Sequence, residues 1–229
     1  MSTPPFAAVA SIDGQLFDDA RILNEELMRA RHALEYLKKR IGNSRMRELL
    51  ADDIAATTAR VRGWLEASGG RWRTGVTELI VPGPSAATFH EWYEQAMVER
   101  REVVLRAGHP EHFVLNPGDG SVEVIENVGE TDLPWRIFYR SLPDEAYPIK
   151  WDPAYPVRFG AEIVDGDGLR VGYTMHQSRD AADGMHLHLR TLLPEAAPTL
   201  LVDRHLRHFA IEFTNWTRAA WLESQKASA

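Results

Sequence analysis

The stretch LRVGYTMHQSRDAADGMHLHLRTLL, residues 169–193, decides the fold. It holds two segments with strand character, residues 169–179 and 185–193, separated by a short polar turn. Such a short connection favours antiparallel pairing, because parallel strands need a long crossover. The stretch therefore predicts an antiparallel pair of strands.

The chain on either side of this stretch continues the same pattern. Short strand-like segments are predicted at residues 76–81, 112–115, 121–126, 135–140 and 158–164, with turn-rich pieces between them. Residues 85–106 have helical periodicity with Ser85 as the expected cap, and a last helix is predicted at residues 198–224. The predicted fold is α+β, a curved antiparallel sheet closed by a long C-terminal helix, with a cavity between sheet and helix.

The N-terminal part of the chain has a different character. Residues 17–67 carry two apolar stripes at helical spacing, interrupted at Gly42 and Asn43, with Ser44 as the expected cap of the second helix. The stripes predict an antiparallel helical hairpin, and Gly69 and Gly70 end it. We therefore predict two domains, a hairpin at residues 1–70 and a domain built on the antiparallel sheet at residues 71–229. The hairpin is expected to be structural and is compatible with a homodimer.

Composition excludes several classes of protein. The 229 residues carry a formal net charge of -7, and they contain no basic cluster interleaved with aromatics, so nucleic acid is not an expected partner. The chain has no cysteine, so any metal site must use nitrogen and oxygen ligands. It also has no apolar run long enough to span a bilayer and no secretory signal. The expected location is cytoplasmic.

The last predicted helix carries a candidate pair of metal ligands. His208 and Glu212 lie four positions apart and project from the same side of the helix, at the edge of the apolar stripe that contains Phe209 and Phe213. A histidine and a carboxylate so placed can bind one divalent ion. Because charged residues usually face water, an ordinary surface pair is the alternative.

A second candidate is Glu126, at the end of a strand. Alternation places Val122, Val124 and Glu126 on one face of the strand and Glu123 on the other. A carboxylate on an apolar face is costly unless it is paired or bound to a metal. The alternative is that the strand ends there and Glu126 turns to water.

Three further histidines are candidates. His109 and His112 flank Pro110, which stiffens the turn after a helix, and either could be a ligand. His176 shares one strand face with Gly172 and Thr174, a face that either lines a site or is exposed. In the next strand, alternation predicts that His186 and His188 face solvent.

Three stretches together resemble a known family. They are residues 89–113 with the His-Pro-Glu-His turn, residues 172–184, and residues 208–215. Their order and spacing resemble the diacetylphloroglucinol hydrolase and phloretin hydrolase family, and the resemblance covers roughly residues 76–221. It implies a START-like helix-grip fold. It also implies a zinc-dependent hydrolase that cleaves the carbon–carbon bond between an acyl group and an aromatic ring.

The resemblance also implies roles for individual residues. The zinc ligands would be His112, Glu126, His208 and Glu212. His176 would lie near the acyl group of an acylphenol or polyketide-like substrate. As a separate hypothesis for the mechanism, Glu126, either as a loose ligand or as a base, would also move a proton. Two tyrosines of the family are absent, because their positions fall at Val104 and near Thr191. Both departures concern substrate recognition.

Two other functions remain open at this point. A helix-grip domain can bind or cyclise apolar polyketides and other aromatic ligands without a metal, and the missing tyrosines fit that interpretation. The chain could also be an interaction protein built on the N-terminal hairpin, in which case no pocket and no ion are expected.

Overall fold

The computed structural model describes residues 7–129 and 131–227 and has the predicted α+β class. The chain divides into two compact units, Met1–Gly42 and Asn43–Ala229. This division reflects only how densely residues contact one another within each unit. It does not test the predicted domains 1–70 and 71–229, which stay a prediction.

The described part of the first unit contains a β-hairpin that was not predicted from the sequence. Strands β1 (Val9–Ile12) and β2 (Gln15–Asp18) pair antiparallel. The turn residues Asp13 and Gly14 have φ values of 50° and 80°, which suits the two-residue turns of hairpins. Helix α1 (Asp19–Leu49) follows, and the carboxylate of Asp18 accepts a hydrogen bond from the amide of Arg21 at 2.8 Å.

The predicted break at Gly42 is confirmed, because its φ of 73° and ψ of 162° are not helical. Ser44, however, does not cap a second helix, since the chain is helical from there to Leu49. Helix α2 (Ala51–Ser68) starts only after Leu50 and ends at Gly69, which adopts the left-handed conformation of a C-terminal cap. The pairing of the helices as a hairpin stays a prediction.

The second unit is built on one antiparallel sheet of seven strands. Their order is β3-β9-β8-β7-β6-β5-β4, so each chain neighbour from β4 to β9 is also a neighbour in space. Most strands run longer than predicted. Their bounds are β3 (Trp72–Pro82), β4 (His112–Gly118), β5 (Ser121–Asn127), β6 (Pro134–Arg140), β7 (Val157–Val164), β8 (Arg170–Ala181) and β9 (Gly184–Pro194).

The single helix predicted at residues 85–106 is wrong, because two helices occupy this stretch. Helix α3 (Ala86–Val98) starts as predicted, with Oγ of Ser85 accepting from the amide of Thr88 at 3.1 Å. It ends in a Schellman motif, in which Arg100 has a φ of 53° and the amide of Arg101 donates to the carbonyl of Ala96. Helix α4 (Glu102–Arg106) then leads into β4.

The C-terminal helix α5 (Thr199–Ala227) packs on the sheet. Gly75 of β3 allows this contact, since a Cβ there would lie 2.8 Å from a methyl of Leu206. The hydroxyl of Thr77 also donates to the carbonyl of Leu206 at 2.8 Å. Within residues 7–129 and 131–227, no helix has both the length and the apolar character needed to cross a membrane. The cytoplasmic location stays a prediction.

Candidate metal centre and its cavity

Four side chains from three elements meet between the sheet and α5. His112 begins β4, and its Cα is directly opposite that of Glu126 on β5. His208 and Glu212 lie one turn apart on α5, as their spacing predicts. The pairing of β4 with β5 therefore supplies one half of the cluster and the helix supplies the other.

The ligand atoms of these four residues are as close as the ligands of one ion. Nε2 of His112 lies 3.0 Å from Nε2 of His208, and 3.3 Å from both Glu126 Oε2 and Glu212 Oε1. Nε2 of His208 lies 3.4 Å from Glu126 Oε2. Atoms bound to a tetrahedral zinc at about 2.0–2.1 Å are about 3.3–3.4 Å apart. The ligand atoms of His112, His208 and Glu212 lie close enough together to hold one ion. Glu126 lies within 3.4 Å of both histidines and is the candidate fourth ligand.

The cluster is buried, and its charges are strongly coupled. Burial by itself lowers the pKa of His112, but hydrogen bonds and charge from Glu126 and Glu212 outweigh it and raise the pKa to about 9. Burial also raises the pKa of Glu212, and burial together with the neighbouring histidines holds the pKa of His208 well below its ordinary value. Two carboxylates thus hold positive charge at His112, which is the environment that a metal cation requires.

The geometry also distinguishes His112 from His109. The His109 ring stacks on that of His208, with centroids 3.7 Å apart and planes inclined by 20°. A ring nitrogen binds an ion in the plane of its ring, so two stacked rings do not share one ion. His109, Glu111 and His208 are close enough to form a second candidate cluster. However, Nδ1 of His109 accepts from the amide of Glu111, and Asn127 donates to Glu111. The geometry favours His112.

Glu123 lies on the opposite face of β5, as alternation predicts. Its two carboxylate oxygens accept hydrogen bonds from Arg47 at 2.8 and 2.5 Å, and Arg136 donates to it at 2.7 Å. Burial opposes ionisation of Glu123, but these two guanidinium groups outweigh burial and lower its pKa. Glu123 is therefore part of an ion-pair network and not of the cluster.

A cavity of about 660 Å³ opens onto the cluster. His112, Glu126 and Glu212 lie in its wall, and most of the remaining lining is apolar. Pockets of this size suit small organic ligands. The apolar lining includes Leu115, Val122, Val124, Phe159, Phe209 and Phe213.

His176 lies in the same wall, as predicted for the face of β8 that it shares with Thr174. Its ring is surrounded by aromatic rings, with the centroids of Phe213 and Phe209 at 4.9 and 5.1 Å. Burial, and to a lesser extent the charges of His205 and Arg190, lower the pKa of His176 to about 3. Its imidazole is therefore neutral near pH 7. In this state it can donate a hydrogen bond without carrying a charge.

On the next strand, His186 and His188 lie outside the lining of the cavity, but they are half-buried, so the prediction that they face solvent is met only in part. His188 pairs there with Glu78.

Several polar side chains of the cavity were not predicted from the sequence. Tyr93 of α3 and Tyr139 of β6 line it. Arg158, near the start of β7, also lines the cavity and forms an ion pair with Asp144, another lining residue. Tyr139 lies directly opposite Val122 of β5, so its place in the cavity follows from the pairing of the two strands and not from alternation along β6 alone. No comparable signal in the sequence marks Arg158.

Comparisons with known proteins leave the family open. No protein-family model matches the chain, and no curated protein matches it. One solved structure with a detectable likeness is an uncharacterised protein from Rhizobium leguminosarum, 16% identical, with a TM-score of 0.35. The match covers 64% of this chain and 92% of that one.

Proposed function

We propose that this protein is a zinc-dependent hydrolase that cleaves the carbon–carbon bond between an acyl group and an electron-rich aromatic ring. The net reaction adds water to an aryl ketone and releases a carboxylic acid and the arene. We also propose that the sheet and α5 form a START-like helix-grip domain. The resemblance of residues 76–221 to the diacetylphloroglucinol and phloretin hydrolases supports both proposals.

The observation that carries the proposal is the convergence of His112, Glu126, His208 and Glu212 at the wall of an apolar cavity. Buried carboxylates and imidazoles are costly unless they are paired or bind a metal. Two histidines and two carboxylates form a donor set that suits zinc, although Mn, Fe and Ni accept the same donors. A zinc ion bound here would acidify water and polarise a carbonyl group. Because four protein ligands fill a tetrahedral site, the ion would have to take a fifth ligand or release Glu126 to admit the water.

The residues of the chain divide the remaining tasks. The aromatic rings around His176 exclude water from the acyl group, and the neutral imidazole donates a hydrogen bond toward the carbonyl oxygen, where negative charge develops. Glu126 of β5 lines the cavity and moves a proton from water toward the ring carbon whose bond to the acyl group breaks. An electron-rich phenol assists, because it can tautomerise as that carbon accepts the proton.

A second candidate is a metal-free protein that binds or cyclises polyketides or other aromatic ligands. The volume and apolar lining of the cavity favour it, as does the absence of tyrosine at Val104 and Thr191. In that case the four polar residues would be a buried structural network, and chelation would leave ligand binding unchanged.

The test is a screen of acylphenols with zinc-loaded protein, in which acid release and zinc content are measured for wild type and Glu212→Ala. We expect the wild type to release acid and the variant to lose both zinc and activity. His188→Ala, on the outer face of the sheet, is the control and is expected to keep both. A Glu212→Ala protein with full zinc and full activity would contradict the proposal.

A further inference from the structure

Two phenol groups of the cavity have no role in the proposed metal centre. Tyr93 of α3 and Tyr139 of β6 both line the cavity with Glu126 and Glu212. Among residues 7–129 and 131–227, neither hydroxyl has a hydrogen-bond partner, and both side chains are only partly buried. A tyrosine that serves the core usually finds a partner for its hydroxyl, so these two phenols face the space in which a ligand would lie.

Both rings are held in place. The Tyr93 ring packs against Phe159 and Trp216, with centroids 5.4 and 5.3 Å away. Tyr139 is in the middle of the sheet, where its Cα pairs with Val122 on one side and Ile163 on the other. A hydroxyl on a fixed ring binds a ligand without the entropy loss of ordering a mobile side chain.

Both side chains also lie in the wall of the cavity to which Glu126 and Glu212 belong. Burial and then the charge of Glu212 raise the pKa of Tyr93. Burial and then the charges of Glu126, Glu212 and Tyr93 raise the pKa of Tyr139. The charge of Glu212 therefore acts on both phenols. Both keep their protons at neutral pH and are available as hydrogen-bond donors.

We propose that Tyr93 and Tyr139 form a subsite that binds an oxygen on the aromatic ring of the substrate, beside the cluster that engages its acyl group. The subsite would select hydroxylated aromatic ketones over unsubstituted ones. This inference rests on the proposed function for the identity of the substrate, but its own claim concerns binding. The remaining cavity wall near Tyr93 is aromatic and offers the face of the ring a matching surface.

Binding of two probes to the zinc-loaded protein tests the subsite. The probes are 2,4,6-trihydroxyacetophenone and acetophenone, which share the acyl group and differ only in the ring hydroxyls. Calorimetry would give both affinities for the wild type, Tyr93→Phe, Tyr139→Phe and the double variant. Tyr155→Phe is the matched control, because this tyrosine donates to Glu78 outside the cavity. Elemental analysis of each variant establishes that the cluster still binds zinc.

We expect the wild type and Tyr155→Phe to prefer the trihydroxy compound. Each cavity variant should lower that affinity about tenfold, the effect of one lost hydrogen bond, with little change for acetophenone. An unchanged preference in the double variant with normal zinc content would overturn the subsite, as would a wild type that does not bind the trihydroxy compound. If the preference depends on the tyrosines but no acylphenol is cleaved, the hydrolase proposal fails and the subsite stands.

Discussion

The Nε2 atoms of His112 and His208 lie 3.0 Å apart, although 96 positions separate the two residues in the chain. Carboxylate oxygens of Glu126 and Glu212 lie within 3.3 Å of the same His112 nitrogen. Two buried imidazoles that face each other through their nitrogens need a proton or a cation between them. The flanking carboxylates supply negative charge that stabilises either occupant, and the proposed function assigns this place to a divalent cation.

The two glutamates of β5 offer a matched pair of variants. Glu126 belongs to the cluster, while Glu123 three positions earlier is bound by Arg47 and Arg136 on the other face. We expect Glu126→Gln to weaken zinc binding by about tenfold to a hundredfold or more. That range is typical when a residue that only hydrogen-bonds to a metal ligand is lost, and Glu126 is itself a proposed ligand. Glu123→Gln should leave zinc affinity unchanged. Competition with a fluorescent chelator measures both, and equal affinities in the two variants would remove Glu126 from the metal site.

Stability at acid pH should report the buried state of His176. Its pKa is about 3 in the folded protein and about 6.5 in an unfolded chain. The neutral, buried imidazole therefore makes its full contribution to the free energy of unfolding above pH 6.5. That contribution is lost as the pH falls toward 3, because only the unfolded chain gains a proton at this residue in that range. From pH 7 to pH 5 this one residue should lower the free energy of unfolding by about 2 kcal/mol.

Urea unfolding in the presence of a chelator measures this effect. The loss of stability between pH 7 and pH 5 should be smaller by about 2 kcal/mol in His176→Gln than in the wild type. His186→Gln, which alters a half-buried histidine on the outer face of the sheet, serves as the control. If His176→Gln shows the same loss as the wild type, the imidazole is not buried as described.

Gly108 permits the packing of Trp216 behind the cluster. A Cβ at this position would lie 2.4 Å from Nε1 of the indole, which donates to the carbonyl of Leu105 at 2.8 Å. The same indole lies 6.2 Å from the His112 ring and 5.3 Å from the Tyr93 ring. We expect Gly108→Ala to lower the free energy of unfolding by about 1–3 kcal/mol, because the indole must move in a packed site.

Equilibrium unfolding followed by tryptophan fluorescence measures the Gly108→Ala effect. Gly63→Ala is the control, since a Cβ at this exposed helical position meets nothing within 4 Å. This control should stabilise the protein slightly, by about 0.5–1 kcal/mol. A Gly108→Ala protein as stable as the wild type would mean that Trp216 is not fixed in this position.

Local periodicity predicted much of the site. Alternation along β5 separated Glu126 from Glu123, and helical spacing placed His208 beside Glu212, because both patterns follow directly from backbone geometry. The choice between His109 and His112 could not come from spacing alone. It depends on where α5 lies, since that helix brings His208 to stack on one imidazole and to face the other.

The remaining differences have local causes. The interruption after α3 depends on Arg100 adopting a positive φ, which residue type does not indicate. Tyr139 could be assigned to the cavity only once β6 was paired with β5, because a strand alone does not reveal which face is covered. Long-range packing therefore decided the details that local sequence patterns left open.

The most direct test of the metal centre is elemental analysis of purified, untagged protein after incubation with zinc, wild type beside His208→Ala, with His186→Ala as the control. We expect about one zinc ion per chain in the wild type and the control, and almost none in His208→Ala. A wild type that binds no zinc, or a His208→Ala protein that retains it, would contradict the central claim that these four residues form a metal site.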